Sequence, residues 1–171
     1  MSATGLEVLD KSLQTTNIWL KEIMEMEAVG PDRQVAWRVL GAVLHTLRDR
    51  LSVEQVAHLG AELPIVIRGL YYDRWHPAGK PEKERRAEEF VARVASELTN
   101  IRPVNPEQAT RAVFTVISLH VSAGQVEKIR QSLPEDIRRL WPERAGTPAS
   151  TVETPIEETE LAPEFEKPGA A

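Results

Sequence analysis

The chain repeats itself at an offset of 70 residues. Residues 42–74 (AVLHTLRDRLSVEQVAHLGAELPIVIRGLYYDR) align without a gap on residues 112–144 (AVFTVISLHVSAGQVEKIRQSLPEDIRRLWPER). Of the 33 aligned pairs, 11 are identical, which is several times the number expected by chance. A repeat of this length indicates two units of the same build that bury their apolar faces against each other. The repeat therefore predicts two units of about 70 residues that share one core.

Each unit has the apolar spacing of helices. Steps of three and four residues connect the apolar positions of the first helix, which are Leu6, Leu9, Leu13, Thr16, Leu20 and Ile23. Ser52 and Gln55 form an S-x-x-Q capping box, and Ser122 stands at the equivalent helix start. Pro81 is expected to open the helix that carries Phe90 and Val94. No stretch of the body alternates with period two for long enough to predict a strand.

The predicted fold is therefore all-α, a compact bundle of about eight helices in one domain over residues 1–142. Its two pseudo-repeats are expected at 5–75 and 82–142. After Trp141 the chain becomes rich in Pro, Thr, Ala and Glu, with few apolar residues to bury. This composition predicts an acidic, disordered tail at 143–171. Leu161 and Phe165, four positions apart among acidic residues, are its candidate docking residues for a partner.

Charge and composition exclude several classes of function. The tail holds seven acidic residues against Arg144 and Lys167, which accounts for the net charge of −5. The body then has 19 acidic and 19 basic residues, so we expect no nucleic-acid binding, which needs a basic surplus. The chain has no cysteine and no apolar run long enough to span a membrane, and the pattern of residues 1–10 does not predict a signal peptide. We expect a cytoplasmic protein without a membrane partner.

No motif nominates catalytic, cofactor or metal-binding residues. The four histidines, His45, His58, His76 and His120, lack the spacing of a metal site. G-x-S-x-G, G-x-G-x-x-G and G-x-x-x-x-G-K-[ST] are all absent, so neither a serine nucleophile nor a nucleotide loop is indicated. We therefore expect no enzymatic activity, no cofactor and no bound metal.

The segment RGLYYDRWHP (68–77) concentrates aromatic and basic residues at the end of the first unit. Its counterpart RRLWPER repeats two of the arginines and places Trp141 at the position of Tyr71. Recurrence in both units indicates packing, with Tyr71 and Trp141 expected to plug the core and extend their polar edges to water. Arg68 and Arg138 are expected to pair with a carboxylate or to cap a helix C-terminus. Three residues without such a counterpart form the candidate interaction surface: Tyr72, Trp75 and His76.

Residues 36–75 resemble a known family. Their motifs A-V-L-x-x-L-R-D-R-L, a short helix ending in L-P, and R-G-L-Y-Y-x-x-W are similar to those of the bacterial family named domain of unknown function 2267. The resemblance covers 5–142 and leaves out the tail. It implies an all-helical repeated bundle in the bacterial cytoplasm, and it supplies no activity, cofactor or catalytic residue.

Two functions remain open from the sequence. The first is a non-enzymatic interaction or scaffold module that binds an unknown protein partner or itself. The alternative is a small-ligand-binding or sensing domain, with a groove between the two units lined by Trp37, Tyr72, Trp75 and His76. A deep apolar pocket would favour the ligand, and a flat exposed aromatic patch would favour a protein partner.

Overall fold

The computed structural model describes residues 2–143, which fold into eight α-helices and contain no strand. The helices are α1 Glu7–Met24, α2 Arg33–Arg50, α3 Val53–Glu62, α4 Ile65–Tyr72, α5 Ala87–Glu97, α6 Pro106–His120, α7 Ala123–Ser132 and α8 Glu135–Arg138. The prediction of an all-α bundle of about eight helices is confirmed for this part of the chain. The candidate docking residues Leu161 and Phe165 lie outside the described residues, as does the predicted tail from Arg144 onward.

Helices α2 and α6 form the centre of the bundle. Helix α2 packs against α1, α4, α5 and α6, and α6 packs against α1, α2, α5 and α7. A helix surrounded in this way must be apolar on most of its circumference. The buried residues of α2 are Val35, Ala36, Val39, Leu40, Gly41, Ala42, Val43, Leu44, Thr46, Leu47 and Arg48. Buried apolar side chains from Trp19 to Trp141 form one continuous core.

The 70-residue offset recurs in the contacts of two arginines. Arg68 caps the C-terminus of α3 by donating to carbonyl oxygens of its last turn and of the C-cap residue. Its acceptors are Gly60, Ala61 and Leu63, at 2.7, 3.1 and 2.8 Å. Arg138 caps α7 in the same way, with Arg130, Gln131 and Leu133 as acceptors at 2.8, 3.4 and 3.0 Å. Each partner is displaced by 70 positions, and helix capping is the role that both arginines take.

Tyr71 and Trp141 are both core residues, as predicted. Their polar edges were expected to extend to water, and this part of the prediction is wrong. Tyr71 is 0% exposed and donates its hydroxyl to the Val56 carbonyl at 3.0 Å. Burial raises the pKa of this hydroxyl well above its ordinary value. Trp141 stacks on Phe114 with ring centroids 4.1 Å apart, and its indole donates to Ser118 Oγ at 2.7 Å. The core itself supplies the acceptors, so neither side chain needs solvent.

Of the two predicted serine caps, only Ser52 is confirmed. Its hydroxyl accepts from the Gln55 backbone N–H at 3.3 Å, and the Gln55 side chain accepts from the Ser52 N–H at 3.3 Å. Ser122 occupies the N-cap position of α7 but makes no cap hydrogen bond. Its N–H and hydroxyl instead donate to the Glu62 carboxylate, both at 2.7 Å. The prediction for Ser122 was wrong because a distant acidic residue competes for the hydroxyl.

The predicted apolar stripe of α1 is wrong in its first two turns. Leu6 and Leu13 are exposed, whereas Ser12 and Trp19 face the core together with the predicted Thr16, Leu20 and Ile23. Ser12 is buried because its hydroxyl accepts from the Val66 backbone N–H at 3.1 Å, at the start of α4 where the helix offers no acceptor. The predicted stripe is therefore confirmed in the later turns of α1 and fails at Leu6 and Leu13.

Helix α5 starts at Ala87 rather than at Pro81. Glu89 accepts hydrogen bonds from the backbone N–H groups of Arg85 and Arg86, and this lowers the pKa of its carboxyl group. Asp136 of α8 accepts from the Ala87 N–H at 2.6 Å. These carboxylates satisfy the free donors at the helix start and so fix where α5 begins. The preceding residues form an irregular connection to α4.

Candidate functional surface

The predicted surface residues Tyr72, Trp75 and His76 differ in their exposure. His76 is exposed, whereas Tyr72 and Trp75 are half-buried and pack against the core. The Tyr72 ring lies edge-on to Tyr71 at 4.9 Å and tilted against Trp75 at 5.6 Å. The Trp75 indole nitrogen is buried without a hydrogen-bond partner. This exit-loop surface is therefore a packed aromatic layer with His76 at its edge.

Tyr72 covers the backbone of α3 at Gly60. Its hydroxyl donates to the Val56 carbonyl at 3.3 Å. A Cβ atom added at Gly60 would lie 2.2 Å from the Tyr72 hydroxyl and 2.7 Å from the ring. A glycine is therefore required at this position for the ring to seat.

Replacing Gly60 with alanine should destabilise the protein by about 1–2 kcal/mol. The added methyl group displaces the Tyr72 ring, and the free-energy cost of this overpacking exceeds the gain from the higher helix propensity of alanine. The measurement is urea denaturation. In a Tyr72→Ala background the same change should become neutral or stabilising. The matched control is Gly69→Ala in α4, where an added Cβ meets no atom within 4 Å and should stabilise by about 0.5–1 kcal/mol. An equal loss of stability for Gly60→Ala and Gly69→Ala would contradict this description of Tyr72.

Two clefts meet at Trp37 and Arg38 on the exposed side of α2. The first, here called the arginine cleft, has a volume of about 560 Å³ and is lined by Leu20, Arg33, Gln34, Trp37, Arg38, Asn100 and Ile101. The second, here called the polar cleft, has a volume of about 630 Å³. Its lining is Trp37, Arg38, Gly41, Ala42, His45, Arg48, Asp49, Leu70, Asp73, Arg74, Glu97 and Thr99. Of the four residues predicted for a groove between the units, only Trp37 lines either cleft.

The arginine cleft has an apolar floor and a basic rim. Leu20 and Ile101 face it together with the half-buried Trp37. The exposed Arg33 donates to the Asn17 side chain, and Arg38 donates to the Thr99 carbonyl at 3.3 Å. None of the described residues that line this cleft is acidic. The cleft therefore offers an aromatic face next to two guanidinium groups.

The polar cleft contains charges of both signs. Arg48 is buried and donates to the carbonyls of Tyr71 and Asp73 at 2.7 and 2.9 Å, and to Asp49 at 2.8 Å. His45 places Nε2 2.6 Å from the Leu70 carbonyl, so this nitrogen carries a hydrogen. Its Nδ1 lies 3.3 Å from Glu97. Most polar groups here are already paired within the protein.

An ion-pair network attaches the α4–α5 connection to α2 beside the polar cleft. Lys80 lies 3.7 Å from Asp49 and 2.5 Å from Glu82, and Arg93 of α5 contacts both Glu82 and Glu84. The hydrogen bond from Lys80, followed by that from Arg93, lowers the pKa of the Glu82 carboxyl group. Segment 80–86, where Pro81 was expected to open a helix, is instead an irregular connection whose carboxylates bind Lys80 and Arg93.

The depressed pKa of Glu82 predicts a contribution to stability that depends on pH. Because the folded pKa lies below the ordinary 4.5, this contribution is complete above pH 4.5 and is lost as pH falls through the folded pKa. The stability difference between the native chain and Glu82→Gln should therefore be constant near neutrality and vanish in acid. Denaturation at a series of pH values measures it. In a Lys80→Met background the acid dependence should shrink, and an unchanged dependence would contradict the assignment.

Sequence reasoning named Trp37 but missed the arginines and Ile101 beside it. One signal was available, because Trp37 has no aromatic counterpart 70 positions later, where Glu107 stands. Arg33 and Ile101 could not be connected from sequence, since they lie on different elements. Among residues 2–143, no group of three His, Cys, Asp or Glu side chains could hold a metal ion. No helix in the same part of the chain is long and apolar enough to cross a membrane.

The architecture and the comparisons agree on the class of protein. The fold defines a single-core, all-helical bundle with open clefts along its central helix. The family model described as "Uncharacterized conserved protein (DUF2267)" matches residues 16–140, and the chain belongs to this family. A search of curated proteins finds no match.

Proposed function

We propose that this protein is a non-enzymatic interaction module that binds a segment of another protein in the arginine cleft. The observation that carries the proposal is the half-buried Trp37 next to Arg33 and Arg38, above a floor formed with Leu20 and Ile101. Tryptophan and arginine are the residue types that contribute most often to binding energy at protein interfaces. We also propose that it acts in the cytoplasm, which its lack of cysteine favours.

The shape of the cleft favours a peptide segment over a compact ligand. The cleft is open to solvent, and it continues past Trp37 and Arg38 into the polar cleft. An enclosed pocket that covers most of its ligand is the usual small-molecule site. A segment with an apolar side chain flanked by carboxylates would fill the floor and pair with the guanidinium groups.

Trp37 differs from the aromatic residues that pack in the core of both units, because it does not recur at the 70-residue offset. Tyr71 and Trp141 recur at equivalent positions and are both buried. Trp37 occurs in the first unit alone and remains partly exposed on α2. A role in shared packing does not account for it, and a role in binding does. His76 and its neighbours in the exit loop form a second candidate surface for a partner or for self-association.

Panning a phage-displayed library of random peptides on the full chain tests this function. Enriched peptides should combine acidic residues with an aromatic or aliphatic residue. They should be lost on a variant with Trp37→Ala and Arg38→Glu, and retained on the matched variant with Trp75→Ala and His76→Ala. Loss on the second variant alone would move the site to the exit loop. Failure to enrich any peptide that distinguishes the two variants would contradict the proposal.

A second candidate function is recognition of a small zwitterion in the polar cleft. The observation that favours it is the presence of Arg38 and Arg74 together with Asp73 and Glu97 along one cleft of about 630 Å³. Such a lining could pair with a carboxylate and an ammonium group on the same molecule. Thermal unfolding with a panel of free amino acids tests this idea. A rise in melting temperature that Glu97→Gln abolishes would support it, and no rise with any of them would contradict it.

A further inference from the structure

We infer that the acidic segment 157–166 of this chain is an intramolecular occupant of the arginine cleft. The inference rests on the proposed function, since it uses the cleft as a site for acidic segments with apolar side chains. Segment 157–166 contains Leu161 and Phe165 among five glutamates. The same segment therefore presents the two kinds of group that the cleft can bind, apolar side chains for the floor and carboxylates for the rim.

Charge complementarity points to this cleft. The described residues that line the arginine cleft include Arg33 and Arg38 and no acid. Arg102, next to the lining residue Ile101, donates to the Val29 carbonyl and is not part of this lining. The polar cleft, in contrast, is lined by three carboxylates and three arginines, so it offers no surplus of positive charge to an acidic segment.

Connection length permits the contact. Trp141 stacks on Phe114 in the middle of α6, so the described part of the chain ends close to that helix. Asn100 and Ile101 of the cleft belong to the connection that leads into the start of α6. The 15 residues of α6 span roughly 22 Å. Between Glu143 and Leu161 the chain can extend to about 60 Å, which is more than enough to reach the cleft.

Tethering makes a weak contact sufficient. Two groups joined by a short stretch of chain meet at an effective concentration in the millimolar range, so a segment of millimolar affinity would occupy the cleft for much of the time. A partner with the same chemistry would then have to displace segment 157–166. The segment would act as a built-in competitor that raises the affinity a partner needs.

Paramagnetic relaxation enhancement in the full-length protein tests the inference. The chain lacks cysteine, so Ala162→Cys provides a unique site for a nitroxide label between Leu161 and Phe165. The four tryptophans provide four indole N–H reporters in a ¹⁵N spectrum. The Trp37 indole should lose the largest share of its intensity, and the loss at the other three, which do not line the arginine cleft, should be smaller. Equal broadening of all four, or the largest loss at a different indole, would overturn the inference.

Matched variants of the labelled chain distinguish docking from random approach. Leu161→Ala with Phe165→Ala should restore the Trp37 signal, as should Arg33→Glu with Arg38→Glu. The control Val152→Ala with Ile156→Ala changes apolar residues elsewhere in the tail and should leave the broadening intact. Broadening that is insensitive to both the segment and the cleft variants would overturn the inference.

A mixed sample identifies which chain supplies the segment. A labelled chain without ¹⁵N is combined with an unlabelled ¹⁵N chain, and the Trp37 indole of the second should keep its intensity. Broadening in this mixture would assign the occupant to a second copy and overturn the intramolecular contact.

If segment 157–166 fails to dock while acidic peptides still enrich on the cleft, the inference alone falls. If neither binds, the proposed function falls as well.

Discussion

Replacing Trp141 with alanine should lower the free energy of unfolding by about 3–5 kcal/mol, the range for loss of a large buried aromatic side chain. The residue is 3% exposed and stacks on Phe114 at 4.1 Å. The change also removes the indole donor to Ser118. Tyr71→Ala, its counterpart in the first unit, should fall in the same range because Tyr71 is equally buried. Urea denaturation measures both.

Trp75→Ala is the matched comparison for Trp141→Ala. Trp75 is half-buried, and its indole nitrogen makes no hydrogen bond that the change could break. The decrease in the free energy of unfolding for Trp75→Ala should therefore be clearly smaller than for Trp141→Ala. A loss as large as that of Trp141→Ala would make Trp75 a core residue and remove it from the candidate surface.

Arg48→Met should destabilise the protein by about 3 kcal/mol. The Arg48 guanidinium donates to the last carbonyls of the α4 region, at Tyr71 and Asp73, and pairs with Asp49. Methionine keeps the buried aliphatic stem but leaves the two carbonyl acceptors without a donor and leaves Asp49 with the more distant Lys80 alone, which is costly at a buried site. Chemical denaturation would show the loss as a lower midpoint.

Arg74→Ala controls for the removal of a positive charge near the same cleft. Its side chain is 88% exposed, and its nearest carboxylate, that of Asp73, is 3.8 Å away. The change should alter stability by less than about 0.5 kcal/mol. Similar losses for Arg48→Met and Arg74→Ala would show that net charge, rather than the buried hydrogen bonds, determines the effect.

Features encoded within a single unit were predictable from sequence. Periodicity identified the helices, and the offset identified Arg68 with Arg138 and Tyr71 with Trp141 as equivalent pairs. The acceptors of both arginines lie within the eight preceding residues and recur at the same offset. Local sequence was sufficient for the arginines because their acceptors belong to the end of the preceding helix, whereas the acceptor of Trp141, Ser118, lies 23 residues away on α6.

Features formed by distant segments were not predictable. Ser122 differs from Ser52 because Glu62, sixty positions earlier, accepts its hydrogen bonds. Helix α5 starts late because Asp136 accepts from the Ala87 N–H across the bundle. The arginine cleft likewise combines α1 and α2 with the connection before α6. Each depends on how helices are placed in space, which a periodic pattern does not specify.

The central claim, that the arginine cleft binds a protein segment, is tested most directly by photo-crosslinking in cells. A photoreactive amino acid is placed at Gln34 on the cleft, and in a matched chain at Lys128, an exposed position on α7. We expect Gln34 to form an adduct with another protein that Lys128 does not form and that Arg38→Glu abolishes. The same adducts at both positions, or none with another protein at Gln34, would contradict the claim.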